Sequence, residues 1–315
     1  MAERLQLKPI LDSAETLLYY SIKNEKILKD FFEGVIPVKK LMIILLIIFA
    51  LAGGFTFYLF QREEGGVPIL IYHQVNDVDK NELTLTVEQF DAQMKYLVDE
   101  GYTVITPTEL LDAWDNQTPL PKNPAVITFD DGHLEIYKNV FPILQKYNLK
   151  ATVFVVTDFI NLYPNYLTWD QAREMQSSGL VDIESHTLNH KLLTQIRSRD
   201  KLWDQLYSSR QAIEWYLKKP APFIAYPGGQ YDDDVKDISV EAGYRAGFTD
   251  DYSLTHRLPQ HYLLARIPIY GANSHTLLRF RLRLKGAPLF APLQRYKDRL
   301  TDDGNGEVAS LIWIP

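Results

Sequence analysis

The chain has 315 residues, enough for one large domain or two small ones, and a 46% hydrophobic content that suits a protein with a buried core. With 33 Lys+Arg against 40 Asp+Glu the formal charge is −7, which argues against a nucleic-acid partner, because phosphate binding asks for a basic face. The absence of cysteine excludes disulfides, thiolate metal sites and cysteine nucleophiles, so any metal must be held by His, Asp or Glu.

Residues 1–38 contain helix-like stretches, Ser13–Tyr20 and Lys23–Phe32, but little core of their own, and are expected to be a cytoplasmic segment. A translation start near Val38 would make the apolar run after Lys40 an ordinary membrane-targeting region. Residues 41–60 carry no charge and are long enough to cross about 30 Å of hydrocarbon. Lys39 and Lys40 precede them, so residues 39–62 are expected to be a transmembrane anchor with its near end in the cytoplasm and the rest outside. Ala50-Leu51-Ala52 leaves a cleaved signal peptide open, although the apolar run continues through Phe55, Phe57 and Phe60. Both alternatives place the later residues outside.

From Val67 onward short apolar runs alternate with helical patterns. Val67–Tyr72 reads as a strand, Thr86–Glu100 as a helix opened by the capping pair Thr86 and Gln89, Tyr102–Ile105 as a strand and Pro107–Trp114 as a helix. Ala125–Phe129 and Ala151–Val156 read as strands around a helix over Leu134–Tyr147. Thr168–Ser177, Val181–Glu184 and Arg199–Leu217 continue the alternation, followed by Phe223–Ala225, Asp232–Ala242, Ala246–Phe248 and Ala265–Ile269. Repeated β-then-α order predicts parallel strands with crossover helices, and their number predicts an α/β fold with a closed or nearly closed barrel. Chemistry in such a fold sits where strands end. After Leu284 the periodicity fails, and residues 286–315 are left as a C-terminal tail.

Three clusters stand at strand ends. Thr128-Phe129-Asp130-Asp131-Gly132 puts two adjacent carboxylates after an apolar strand, an arrangement that is costly unless a positive group lies beside them. Asp302-Asp303-Gly304 is the same tripeptide without a strand before it and reads as a loop. Ser185-His186-Thr187-Leu188-Asn189-His190 spaces two of the seven histidines four apart, and two His with one carboxylate make a metal set that keeps a coordination position open. Ala225-Tyr226-Pro227-Gly228-Gly229 offers paired glycines whose backbone can approach a ligand. Singly, each also reads as a turn or as surface histidines.

Together the three motifs resemble the polysaccharide deacetylases of carbohydrate esterase family 4, the NodB-homology domain, over about residues 65–285. The opening Val67-Pro68-Ile69-Leu70-Ile71-Tyr72-His73 is similar to the branch that includes the poly-N-acetylglucosamine deacetylases. The resemblance implies a distorted (β/α) barrel after one transmembrane helix, and a metal-dependent hydrolase that takes acetyl groups from a cell-wall or extracellular polysaccharide. It implies Asp130 as general base and Asp131, His186 and His190 as ligands of one divalent metal, Zn2+ first, with Co2+, Ni2+ and Mn2+ also compatible. A metal-bound water would be the nucleophile and the Tyr226 N–H an oxyanion donor. Two departures matter. The arginine common in the third motif is replaced by Ala225, which leaves Arg266 as a candidate substitute, and the general acid is open among His256, His261 and His275, with His261 preferred. His73 either approaches the barrel mouth or merely packs there. A non-catalytic carbohydrate-binding wall protein is the competing function; a metalloprotease is weaker because His-Glu-x-x-His is absent.

Overall fold

The computed structural model describes residues 38–62, 65–257, 260–269 and 276–315, and the chain divides into two units, 1–62 and 63–315. In the first, α1 (Val38–Arg62) is one helix whose stretch Lys40–Tyr58 has 19 residues, a mean hydropathy of 2.5 and no buried side chain. At 1.5 Å per residue it is long and apolar enough to cross a bilayer. The expectations for residues 1–37 lie outside the described residues.

The second unit is a closed parallel barrel. Its strands are β1 (Ile69–Tyr72), β5 (Pro124–Phe129), β6 (Ala151–Val155), β7 (Val181–Ser185), β8 (Phe223–Ala225), β9 (Ala246–Tyr252) and β10 (Leu264–Pro268). Each pairs with the next, and β1 closes the ring by pairing with both β10 (Leu70 opposite Ile267) and β5 (Leu70 opposite Ile127). Closure removes both sheet edges. Short β4 (Thr103–Val104) adds to the start of β5, and β2 (Gln74–Val75) pairs with β3 (Thr84–Leu85) beyond the end of β1, a pair the hydrophobic pattern does not reveal. The helices are α2 (Val87–Asp99), α3 (Pro107–Asp115), α4 (Phe141–Tyr147, entered through a π turn at Ile136–Val140), α5 (Trp169–Ser177), α6 (Arg199–Leu217), α7 (Asp233–Glu241), α8 (Leu277–Asp302) and α9 (Gly306–Ser310). Thr86, Thr106 and Thr168 each open a helix with a complete capping box.

Alternation along the strands sorts the side chains. Ile69, Val126, Phe154, Phe223, Phe248 and Leu264, one from each of six strands, form one buried cluster, joined by Leu110, Leu111 and Trp114 of α3. The intervening positions, Leu70, Ile127, Val153 and Ile183 among them, pack outward on the helix layer. Arg245, just before β9, pairs with Asp112 and Asp115 of α3. Helix α3 therefore covers the end where strands begin and, among the described residues, leaves the other end open.

The expected boundary at 285/286 falls inside α8, which runs unbroken from Leu277 to Asp302 past Pro288 and Pro292. The tail packs back on the barrel unit, where Arg283 donates to the carbonyl of Pro315 at 2.7 Å. Periodicity fails there because two prolines and a glycine interrupt the pattern without ending the helix. Asp302-Asp303-Gly304 is the C-terminal cap of α8, and Gly304 takes a positive φ of 79°.

Candidate active site

The inward positions of the strands converge at the open end. On β5, Val126 and Thr128 face inward and the next inward position is Asp130, whose side chain is almost wholly buried. On β10, Leu264 is followed inward by Arg266, also fully buried. The two meet as a fork: Arg266 Nη1 donates to Asp130 Oδ1 at 2.7 Å and Nη2 to Asp130 Oδ2 at 2.8 Å. Arg266 also donates through Nε to the Thr249 carbonyl at 2.8 Å and through Nη2 to Asp250 Oδ1 at 2.6 Å. The expected substitute cation thus reaches the carboxylate, and β9 adds Asp250, which the sequence reading missed by ending that strand at Phe248. Burial alone would raise the Asp130 carboxyl, but the Arg266 charge and bonds, with His186, hold it below the ordinary range.

Asp131 turns the other way. It takes φ 72°, and Gly132 follows at φ 80° with no space for a side chain, since a Cβ would lie 2.9 Å from Val155 Cγ1. Asp131 Oδ1 stands 3.6 Å from His186 Nε2 and 3.3 Å from His190 Nε2, and Oδ2 stands 3.3 Å from His133 Nε2. Burial opposes ionisation of Asp131, but the His133 hydrogen bond and the charges of His186 and His73 hold its carboxyl well below the usual range. His133 was not singled out in the sequence, although it directly follows the Asp-Asp-Gly triplet.

His186 is buried and its Nδ1 lies 2.8 Å from the Ala225 carbonyl, which makes Nδ1 a donor and turns Nε2 toward Asp131. His190 is 39% exposed at its side chain, so the group opens to solvent on that side. Burial and the neighbouring His186 lower the pKa of His190, favouring the neutral, ligating form. One ligand atom each from Asp131, His186 and His190 lies within 4.8 Å of the others, the only such group among the described residues. Asp131, Thr187 and His190 all take positive φ, a rare state for non-glycine residues that clusters at functional sites.

Two expected residues do not join this group. The Tyr226 N–H donates to the Phe248 carbonyl at 3.0 Å and is therefore consumed by the sheet, while its ring packs outward with Ile224 against Leu206 and Val235. His261 sits at the closed end: its carbonyl accepts the Gly247 N–H, its ring stacks on Trp114 at 5.8 Å, and Nε2 lies 3.3 Å from Asp115. His256 lies beside Gly66, before β1 begins, and His275 is outside the described residues. His73 follows β1 at the open end, where Tyr72 accepts the Asp130 N–H at 2.9 Å, and its charge reaches Asp130, Asp131 and His190.

Comparison with known proteins gives the family and the fold. The profile of the polysaccharide deacetylase family matches residues 117–247. YxkH of Bacillus subtilis, which carries the family's name, is 30% identical over 203 residues, covering 64% of this chain and 71% of its own. A poly-beta-1,6-N-acetyl-D-glucosamine N-deacetylase of Staphylococcus aureus is 28% identical over 224 residues, covering 67% and 76%. Among solved structures, the Streptococcus pyogenes deacetylase PplD in complex with acetate superposes with TM-score 0.62 at 30% identity, covering 65% of this chain and 92% of that one. The Bacillus cereus polysaccharide deacetylase BC0361 does so with TM-score 0.61 at 28% identity, covering 70% and 69%. A barrel of seven closed strands, a fork-held carboxylate beside an Asp-His-His group, and this similarity along most of the barrel unit lead to one conclusion: the chain belongs to the polysaccharide deacetylase family.

Proposed function

We propose that the protein removes N-acetyl groups from an N-acetylglucosamine polysaccharide outside the cytoplasmic membrane, using one divalent metal and Asp130 as base. The observation that carries this is the division between two adjacent carboxylates. Asp131 joins His186 and His190 in a group fit for a metal, while Asp130, locked on Arg266, stands 3.8 Å from His186 Nε2 and outside that group. The donor set of one carboxylate and two imidazoles suits zinc, with an open position on the exposed His190 side. A divalent ion held there would lower the pKa of a bound water toward 7 and polarise the acetyl carbonyl.

Arg266 keeps Asp130 ionised and fixed, so an acceptor for the water's proton is always in place. His73 replaces His261 in our assignment of the proton donor to the leaving amine. It is at the open end, its Nδ1 is buried without a partner among the described residues, and His133 is already engaged with Asp131. The Gly228-Gly229 turn lies beside the ligand loop, with Gly228 next to Leu192, and its two hydrogen bonds use the N–H groups of Gly229 and Gln230 rather than that of Gly228. This supports Gly228, in place of Tyr226, as the backbone donor toward the acetyl oxygen. The similarity to the Staphylococcus aureus N-deacetylase supports the N-acetyl substrate. Lys39 and Lys40 before the apolar run of α1 support an outward-facing barrel unit.

The test is acetate release from a β-1,6-linked N-acetylglucosamine oligomer, with O-acetylated xylan in parallel. Release from the first and not the second is expected. Release from xylan alone would replace the N-acetyl assignment with an ester one.

A further inference from the structure

The segment between β6 and α5, residues 156–168, is tied to both loops that supply the metal-binding group. On one side Thr157 and Asp158 donate to the carbonyls of Thr187 and Leu188, between the two histidines. On the other, Leu134 donates to the carbonyl of Asn165 and Leu167 donates to that of Gly132, a short antiparallel bridge between His133 and Tyr166. The segment is closed on itself by Asn161, at φ 65°, whose N–H donates to Leu167 and whose side chain accepts from the Trp169 N–H. It is therefore as firmly placed as the ligand loops.

It carries a run of rings toward solvent. His133, in contact with Asp131, stacks on Tyr166 at 4.8 Å and 28°. Tyr166 meets Phe159 at 5.0 Å, and Phe159 meets Tyr163 at 5.1 Å. The run ends on exposed Leu162 and Tyr163, 65% and 46% accessible. Nothing in the core requires this outer end: Tyr163 and Leu162 belong to none of the buried clusters. Contiguous exposed apolar surface joined to a reaction site marks a ligand surface, and rigid rings offer contact area at little entropic cost. The face of a pyranose ring presents C–H groups of matching shape, and a neutral glycan needs no charged partner there.

We propose that Tyr163, with Tyr166 behind it, is a stacking platform for a sugar ring neighbouring the one that is deacetylated, so that the enzyme selects a polymer over a single sugar. This rests on the deacetylase reading above. Tyr163 touches none of the ligands, which makes it the informative position. Binding of N-acetylglucosamine and of its β-1,6-linked pentamer would be measured by calorimetry on the metal-stripped full chain, where acetyl groups stay in place. Hydrolysis of p-nitrophenyl acetate by the metal-loaded chain reads the reaction centre separately.

The wild type is expected to bind the pentamer more tightly than the monomer. Tyr163→Ala should weaken pentamer binding about 3- to 10-fold, the worth of one ring contact, and leave monomer binding and ester hydrolysis unchanged. Tyr163→Phe should retain pentamer binding. Equal affinity of wild type for pentamer and monomer, or unchanged pentamer affinity in Tyr163→Ala, would overturn the proposal. So would loss of ester hydrolysis in Tyr163→Ala, because the residue would then act through the ligand loops. A wild type that hydrolyses no ester and no glycan but keeps the Tyr163-dependent preference would refute the deacetylase reading and leave the platform standing.

Discussion

Replacing Arg266 by methionine removes the charge and the fork while keeping much of the side chain's volume. In the native protein Arg266 satisfies both oxygens of Asp130, at 2.7 and 2.8 Å, with both side chains shut away from water. Removing one partner of such a pair leaves a buried charge uncompensated, which costs about 3–5 kcal/mol. For a unit of this size that corresponds to a melting temperature lower by about 6–20 °C. The pH dependence gives a second readout. Native Asp130 has a depressed pKa, so its contribution to stability is present above the unfolded carboxylate value and is lost as pH falls through the folded value. In Arg266→Met burial is opposed only by the weaker influence of His186 and His73 and pushes that pKa up, so the sign is expected to reverse. Stability is then greatest below the unfolded value and declines as pH rises toward the new folded one. Thermal melts of both proteins, metal-stripped, between pH 4 and pH 8 should therefore diverge as pH rises. Acetate release should fall about 10²–10⁴-fold in kcat, because a protonated or displaced Asp130 is no base. Melting temperatures that stay together across this range would refute the coupling of Arg266 to Asp130.

His73→Ala should lower kcat by about 10²–10⁴ and keep its metal, whereas His261→Ala, at the closed end, should leave kcat unchanged; steady-state acetate release on both variants separates them, and the reverse pattern would restore His261. Gly132→Ala should be strongly destabilising, because it combines φ 80° with a 2.9 Å approach to Val155, and a denaturant titration that matched wild type would contradict that geometry. Protease added to intact, wall-stripped cells should digest the barrel unit, and digestion only after lysis would reverse the orientation assigned from Lys39 and Lys40.

The strands and the grouping of Asp131 with His186 and His190 were legible because each apolar run stops at its polar cluster. Val126 to Phe129 is followed at once by two carboxylates, and Val181 to Ser185 by the histidine pair. Arg266 was legible as a candidate cation but its fork on Asp130 was not, since 136 residues separate the two and only barrel closure through β1 brings their strands together. Tyr226 was misassigned although a signal existed. Phe223 and Ala225 face the interior, so the next residue points outward and its N–H stays in the ladder with Phe248. His261 was misplaced because nearness to Arg266 in sequence hides the length of a strand between the two barrel ends. The left-handed backbone at Asp131, Thr187 and His190 is only weakly signalled, since Asp and His visit it more often than other non-glycine residues but mostly do not adopt it, and β-branched Thr ordinarily avoids it.

The central claim is that Asp131, His186 and His190 hold a divalent metal and Asp130 does not. The most direct measurement is metal content of purified wild type, His186→Ala and Asp130→Asn, taken together with acetate release from the same preparations. About one divalent ion and activity are expected in wild type, neither in His186→Ala, and a retained ion with kcat down about 10²–10⁴ in Asp130→Asn. A fully active His186→Ala protein without metal, or an Asp130→Asn protein that loses its metal, would contradict it.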